Sequence, residues 1–142
     1  MTSLTGLMLS HNTLSGTIPK EIARLHNLED LRLDSNKLSG SIPREVGNMK
    51  ALVKLWLNSN SLSGAITQEI GHLNHLYLLD MSSNELTGDL PASIFNMSSL
   101  EVVYLSRNRL SGTLPSEIGI TNILRELYLD NNALIGKISR PF

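Results

Sequence analysis

The chain has 142 residues, 12 basic against 13 acidic, a formal charge of −1 and no cysteine. This length suits one ordinary domain with a real core, and the even charge balance gives no electrostatic case for a nucleic-acid or anionic-membrane partner. Without cysteine there is no disulfide framework, no thiolate metal site and no cysteine nucleophile. That composition is compatible with either redox compartment.

No apolar run approaches the ~18 residues of a membrane span. The N-terminus lacks the basic flank and apolar core of a signal peptide. Targeting segments of a secreted product are therefore expected to lie outside this chain.

The first element in each stretch is a Leu-x-x-Leu-x-Leu-x-x-Asn unit, seen between Leu28 and Asn36 and repeated every 24 residues. Copies begin at Leu4, Leu28, Leu52, Leu76, Leu100 and Leu124. A fixed period of this size marks a solenoid and outranks local propensity. The Leu-x-Leu alternation reads as a half-buried strand, and one copy cannot bury its apolar face alone. Six short parallel strands in one sheet are predicted, spaced ~4.8 Å apart.

An asparagine closes each unit: Asn12, Asn36, Asn60, Asn84, Asn108 and Asn132. A side-chain amide has two donors and a two-lone-pair acceptor, so it can satisfy backbone groups left open by a turn. Stacked at every repeat, the six are expected to form a structural ladder.

Next comes Leu14-Ser-Gly-Thr-Ile-Pro19, returning as Leu38–Pro43, Leu86–Pro91 and Leu110–Pro115. Glycines 16, 40, 64, 88, 112 and 136 suit a tight bend or positive φ. A short extended segment is predicted, with the leucine and the aliphatic residue before proline pointing inward. Thr67 and Ser139 replace proline in two copies, where only local loosening is expected.

The remainder of each repeat reads as one or two helical turns on the convex side, from the i, i+3 spacing of Val46 and Met49, Ile70 and Leu73, and Ile94 and Met97. Proline suits the first turn, and glycines 47, 71 and 119 are expected to loosen the turn after it. Between Gly119 and Leu124 the pattern is irregular, with Thr121 where Leu or Met is expected, so a re-phased backbone is predicted there. Phe142 falls in register with Ile118 and Ile94. Polar caps, which solenoids normally need, are not recognisable at either end. The chain reads as a piece of a larger array, or one whose ends are covered, and self-association through its uncapped ends is an expectation.

These residues resemble the plant-specific leucine-rich repeat family. The match follows Leu-x-x-Leu-x-Leu-x-x-Asn-x-Leu-Ser-Gly-x-Ile-Pro-x-x-Ile-Gly-x-Leu-x-x, is best at 28–51 and 100–119, and covers essentially the whole chain. The resemblance implies an α/β solenoid over 1–142, a single domain. That fold is a right-handed superhelix of about six 24-residue repeats, with a parallel β-sheet on the concave face. A second short sheet follows the Leu-Ser-Gly motif, and short 3-10 or α turns form the convex face. The family includes ectodomains of plant receptor-like kinases and receptor-like proteins, and secreted inhibitors of cell-wall polygalacturonases. Its ligands usually lie on the concave or lateral surface. The flanking cysteine-pair caps of extracellular members are absent here.

On each predicted strand the residue between the last two leucines points outward. That column is Met8, Arg32, Trp56, Asp80, Tyr104 and Tyr128. Beside it run Ser10, Asp34, Asn58, Ser82, Ser106 and Asp130 on one side, and Gly6, Asp30, Lys54, Leu78, Val102 and Glu126 on the other. Trp, Tyr and Arg are the types enriched at binding hot spots. Candidate ligand-binding residues are therefore Arg32, Asp34, Trp56, Asn58, Asp80, Tyr104 and Tyr128. The alternative is that these side chains only cover neighbouring strands, with Arg32 paired to Asp34 or Asp30.

Asn96-Met97-Ser98 is the only Asn-x-Ser/Thr sequon, and Asn96 falls on the expected convex loop. His72 and His75 lack a third convergent ligand, which makes a poor metal site. No nucleophile–base–orienter set is brought together by the repeat, and no glycine loop departs from the period to cradle a phosphate. No catalytic residue, metal or cofactor is expected. The expected function is non-catalytic recognition of a protein or peptide, in receptor-type signalling or defence, outside the cell or at its surface as part of a longer precursor. Inhibition of a cell-wall-degrading enzyme and ice binding are the alternatives.

Overall fold

The fold is that of a computed structural model, which describes residues 3–138. The expectations at Ser139 and Phe142 lie outside the described residues. Each coil supplies the same pieces, and each piece has a local cause. The Leu-x-Leu segments form β1 (Gly6–Met8), β3 (Asp30–Arg32), β5 (Lys54–Trp56), β7 (Leu78–Asp80), β9 (Val102–Tyr104) and β11 (Glu126–Tyr128). The Leu-Ser-Gly segments form β2 (Ser15–Thr17), β4 (Lys37–Ser41), β6 (Ser61–Ala65), β8 (Glu85–Asp89) and β10 (Arg109–Ser111). Between them lie short 3-10 helices: η1 (Lys20–Arg24), η2 (Arg44–Asn48), η3 (Gln68–His72), η4 (Ala92–Asn96) and η5 (Ser116–Gly119).

The odd-numbered strands make a six-stranded parallel sheet in sequence order, the concave face of the solenoid. Its register advances by one 24-residue coil per strand, pairing Leu7 with Leu31, Leu31 with Leu55, Leu55 with Leu79, and so on to Leu127. The even-numbered strands make a second parallel sheet of five. There Gly16 pairs with Leu38 and Gly40 with Leu62, so equivalent positions are sheared by two residues from coil to coil. This second sheet includes the Leu-Ser-Gly motif itself and does not follow it.

Leu28, Leu52, Leu76, Leu31, Leu55 and Leu79 are sealed in one continuous core with Leu38, Leu62, Leu86, Val46 and Ile70. Coils with neighbours on both sides bury these positions fully, whereas Leu14 in the first coil stays 40% exposed. At the irregular fifth copy Ile120 is 67% exposed, as a re-phased segment requires.

The asparagine ladder is present. Asn84 donates through Nδ2 to the carbonyls of Leu57, Met81 and Ser82, and its Oδ1 accepts the Leu62 N–H. Asn36, Asn60 and Asn108 repeat this pattern coil by coil. Asn132 closes it at the far side, and Asn12, among the described residues, bonds within its own coil. The residue before each asparagine adopts a left-handed backbone: His11, Ser35, Ser59, Ser83, Arg107 and Asn131 all have φ between 53° and 57°. Side chains other than glycine are disfavoured there. The amide bonds of the following asparagine hold that strained turn closed.

Two expectations are corrected. Proline is not inside the helical turn but one residue before it: Pro43, at φ −62° and ψ 133°, is extended, and its carbonyl accepts the Val46 N–H that opens η2. Gly47 and Gly71 do not loosen the turn after the helix. They lie within η2 and η3, where a Cβ on Gly47 would come 2.3 Å from the Glu69 carbonyl oxygen, and one on Gly71 would come 2.6 Å from Ser93 Cβ. They let successive 3-10 helices pack at backbone distance.

Candidate functional site

The parallel register places Met8, Arg32, Trp56, Asp80, Tyr104 and Tyr128 side by side along the concave face, one per coil. Leucine, or Met81 and Val103 in two places, stands on either side of each and points into the core, so alternation forces these six outward. The sequence reading of this column is therefore realised as a continuous row. Its members are not equally open. Met8 and Tyr128, at the two ends, are more than half exposed, while Asp80 is only 8% exposed. Asp80 has a short side chain, and its neighbours in the ladder are the larger Trp56 and Tyr104.

Arg32 is engaged on two sides. Its guanidinium carbon stands 5.3 Å from the Trp56 ring centre, and its Nη2 is 3.0 Å from Asp30 Oδ2, with Nε donating to both oxygens. The bond to Asp30, with added attraction from Asp30 and Asp34, raises its pKa against the opposing cost of burial. The pairing with Asp30, one of the two alternatives from sequence, thus coexists with a cation–π contact. The Trp56 indole N–H and the Asn58 amide oxygen are both buried without a hydrogen-bond partner among the described residues.

Tyr104 and Tyr128 meet edge to face, ring centres 4.9 Å apart at 64°. The Tyr104 hydroxyl donates to Glu126 at 2.5 Å; that hydrogen bond, with burial and the charge of Glu126, pushes its pKa up to about 12. Burial raises the Asp80 carboxyl above the ordinary range, held back by the Ser82 hydroxyl at 2.6 Å and the Ser82 N–H at 2.9 Å. Asp34 accepts from Ser10, and Asp130 accepts from Ser106 and Asn131, which lowers the Asp130 pKa.

A shallow depression of about 320 Å³ opens over this half of the sheet, lined by Asp80, Ser82, Tyr104, Ser106, Arg107 and Tyr128, with Ser83 at its edge. Sequence reasoning missed Ser83 and Arg107 as lining residues, because they occupy turn positions whose identity varies from coil to coil. It also missed Glu126 as the Tyr104 acceptor; the signal was present, since Val102 pairs with Glu126 one strand over. Leu78 and Val102 of the third column are buried.

Elsewhere, Asn96 is exposed at the end of η4, and Ser98 is exposed two residues on. His72 and His75 are exposed; His75 Nδ1 lies 3.1 Å from the Lys50 carbonyl.

Models of the leucine rich repeat match residues 3–25, 27–49, 51–73 and 75–134. A search of curated proteins finds no match. Among solved structures, a plant peptide hormone receptor, RGFR1, in complex with RGF2 superposes with a TM-score of 0.93 at 37% identity, over 95% of this chain and 22% of the receptor chain. A plant ice-binding protein superposes with a TM-score of 0.86 at 35% identity, over 95% of this chain and 44% of that one. The ectodomain of the receptor kinase SOBIR1 from Arabidopsis thaliana does so at 0.83 and 33% identity, over 90% of this chain and 71% of that one. This chain thus spans about a fifth of the peptide receptor it resembles. With its 24-residue coils, its paired parallel sheets and these matches together, the chain belongs to the plant-type leucine-rich repeat family.

Proposed function

We propose that the concave face is a recognition surface for a protein or peptide, serving as part of an extracellular receptor-type molecule in signalling or defence. The observation that carries this reading is the row Arg32, Trp56, Asp80, Tyr104 and Tyr128. Large aromatic and charged side chains stand in register on a sheet face that no other element among the described residues covers. Such residues contribute contact area at low entropic cost. Asp34 and Asn58 flank the row and supply polar contacts. The likeness to a peptide hormone receptor supports the same class of ligand.

The test is selection of random linear peptides displayed against the wild-type chain, with the double variant Trp56→Ala, Tyr104→Ala as the comparison. Peptides enriched on the wild type are expected to lose at least tenfold in affinity on the double variant while its melt stays within a few degrees. Equal binding to both proteins refutes this face.

Ice binding is the second reading, favoured by the likeness to a plant ice-binding protein. Its support in this chain is a hydroxyl at the equivalent position of each coil on the second sheet, Ser15, Ser39, Ser63, Thr87 and Ser111, staggered by the two-residue shear and not aligned in one row. Charged residues Lys37, Glu85, Asp89 and Arg109 interrupt the same sheet, which ranks this reading below the first. Thermal hysteresis above that of an equal concentration of albumin would favour it.

A further inference from the structure

The concave face uses the same materials twice, and only one set is complete. On β3 and β5 a guanidinium, a ring and a carboxylate come together: Arg32 lies over Trp56 and against Asp30. On β7, β9 and β11 the ring and the carboxylate are present without a guanidinium. Asp80 is nine-tenths buried, and its Oδ1 accepts both bonds from Ser82. Its Oδ2 takes no hydrogen bond from any described residue. Tyr104 stands next in the ladder, fixed by its hydroxyl on Glu126 and by its edge contact with Tyr128. All three line the same open depression of about 320 Å³.

The charge there is unbalanced. Of the residues lining the depression, Asp80 is the carboxylate and Arg107 the cation, and Arg107 acts on Asp130; Glu126 and Asp130 adjoin it through their bonds from Tyr104 and Ser106. A buried carboxylate with an open oxygen favours a cationic partner that brings its own donors. A guanidinium suits the place better than an ammonium. It is planar, weakly hydrated, stacks on aromatic faces and carries five donors in a fixed fork.

We propose that the depression between Asp80 and Tyr128 receives an arginine side chain of the ligand, as Arg32 already occupies the equivalent place on Trp56. This rests on the concave face being the recognition surface, and it names the chemistry read there. The guanidinium stacks on Tyr104, donates to Asp80 Oδ2 and reaches the hydroxyls of Ser82 and Ser106.

The test titrates the chain with Nα-acetyl-arginine amide, following the aromatic NMR resonances of Tyr104 and Tyr128, with the Trp56 indole as reference. Saturable shifts of both tyrosines are expected. The uncharged citrulline analogue should give none. Asp80→Asn keeps the shape and the Ser82 bonds and should weaken the arginine probe about tenfold, with circular dichroism confirming the fold. Equal shifts from Nα-acetyl-lysine amide, or equal affinity of the Asp80→Asn chain, overturn the assignment. Selected peptides separate the two levels. If they depend on Trp56 and Tyr104 yet tolerate arginine-to-citrulline replacement and Asp80→Asn, recognition stands and the arginine reading falls. If none engages the face, both fall.

Discussion

Asn84 and Leu57 stand 27 residues apart in sequence and 3.0 Å apart in space, the side-chain amide of one donating to the carbonyl of the other. With its remaining bonds, that amide ties two successive coils together. Replacing it with alanine leaves the Leu62 N–H buried and unpaired, at ~1–3 kcal/mol, while the Leu57 carbonyl keeps its bond from Asn60. Asn84→Ala should therefore cost about 1–3 kcal/mol on these terms. Asn12→Ala should cost under about 1 kcal/mol, because Asn12 is exposed and water can replace its two bonds to Leu9 and Ser10. Thermal or urea melts of the two variants check this; similar losses at both would show that burial is not what gives the ladder its strength.

The helix glycines and the turn glycines should respond differently. At Gly47 a methyl would run into the Glu69 backbone at 2.3 Å, and two coils would have to move apart. Overpacking of this kind costs roughly 1–3 kcal/mol. At Gly64 the nearest atom is Ser41 Cβ at 3.5 Å, an ordinary contact, and the penalty is that of a left-handed backbone at φ +75°, roughly 1–2 kcal/mol. Gly47→Ala should melt lower than Gly64→Ala. The reverse order would mean that the coils separate at little cost.

Thr67 occupies a proline's place without being one. Its backbone, at φ −77° and ψ 150°, matches Pro19 at −72° and 138° and Pro91 at −70° and 125°. The preceding Ile66 is the counterpart of Ile18 and Leu90, which already precede prolines. The Thr67 hydroxyl is buried without a partner among the described residues. Thr67→Pro should stabilise by about 0.4–1 kcal/mol through the unfolded chain, with a further gain from removing the unpaired hydroxyl. A lower melting point would show that the threonine N–H makes a bond the proline sacrifices.

Much of this molecule was legible because one period fixes both sheets. Once Leu28, Leu52 and Leu76 are equivalent, the strands, the asparagine ladder and the outward row follow from alternation alone. The left-handed residue before each asparagine was not legible. His11, Ser35 and Arg107 share no chemistry, and the strain there is imposed by the asparagine that follows. The roles of Gly47 and Gly71 were also hidden, since a close approach to the next coil belongs to packing and not to local sequence. Within the binding row, position could be read but exposure could not. Whether Asp80 stands free depends on the bulk of Trp56 and Tyr104 on adjacent strands.

Asn96 offers a check on location. It is exposed at the end of η4, with Ser98 exposed at the third position of the triplet that a glycosyltransferase reads. If the chain belongs outside the cell, secretion from plant or insect cells behind a supplied signal peptide should add one N-linked glycan. Enzymatic deglycosylation and Asn96→Gln should each return the mass to that of the bare chain. A secreted wild-type product without glycan would remove this position from the functional account.

Asp80 links stability to binding. Burial disfavours its charged form, so its folded pKa lies above the ordinary 3.8, with Asp34 adding to the rise and the two Ser82 bonds restraining it. Between the ordinary and the raised value, the folded state holds a proton that the unfolded state has lost. Stability contributed by the neutral acid is thus present below the ordinary value and lost as pH rises through the raised one. Asp80→Asn removes that loss, so the variant should melt higher than wild type at pH 7, and the difference should shrink as pH falls toward 3. A bound guanidinium acts the other way, favouring the carboxylate. The Asp80 carboxyl carbon, followed by NMR, should titrate at lower pH in the presence of Nα-acetyl-arginine amide than in its absence. A variant that melts higher and binds less would mark Asp80 as a group kept at a cost to stability for the ligand it meets. An unmoved titration midpoint would leave its burial as packing alone.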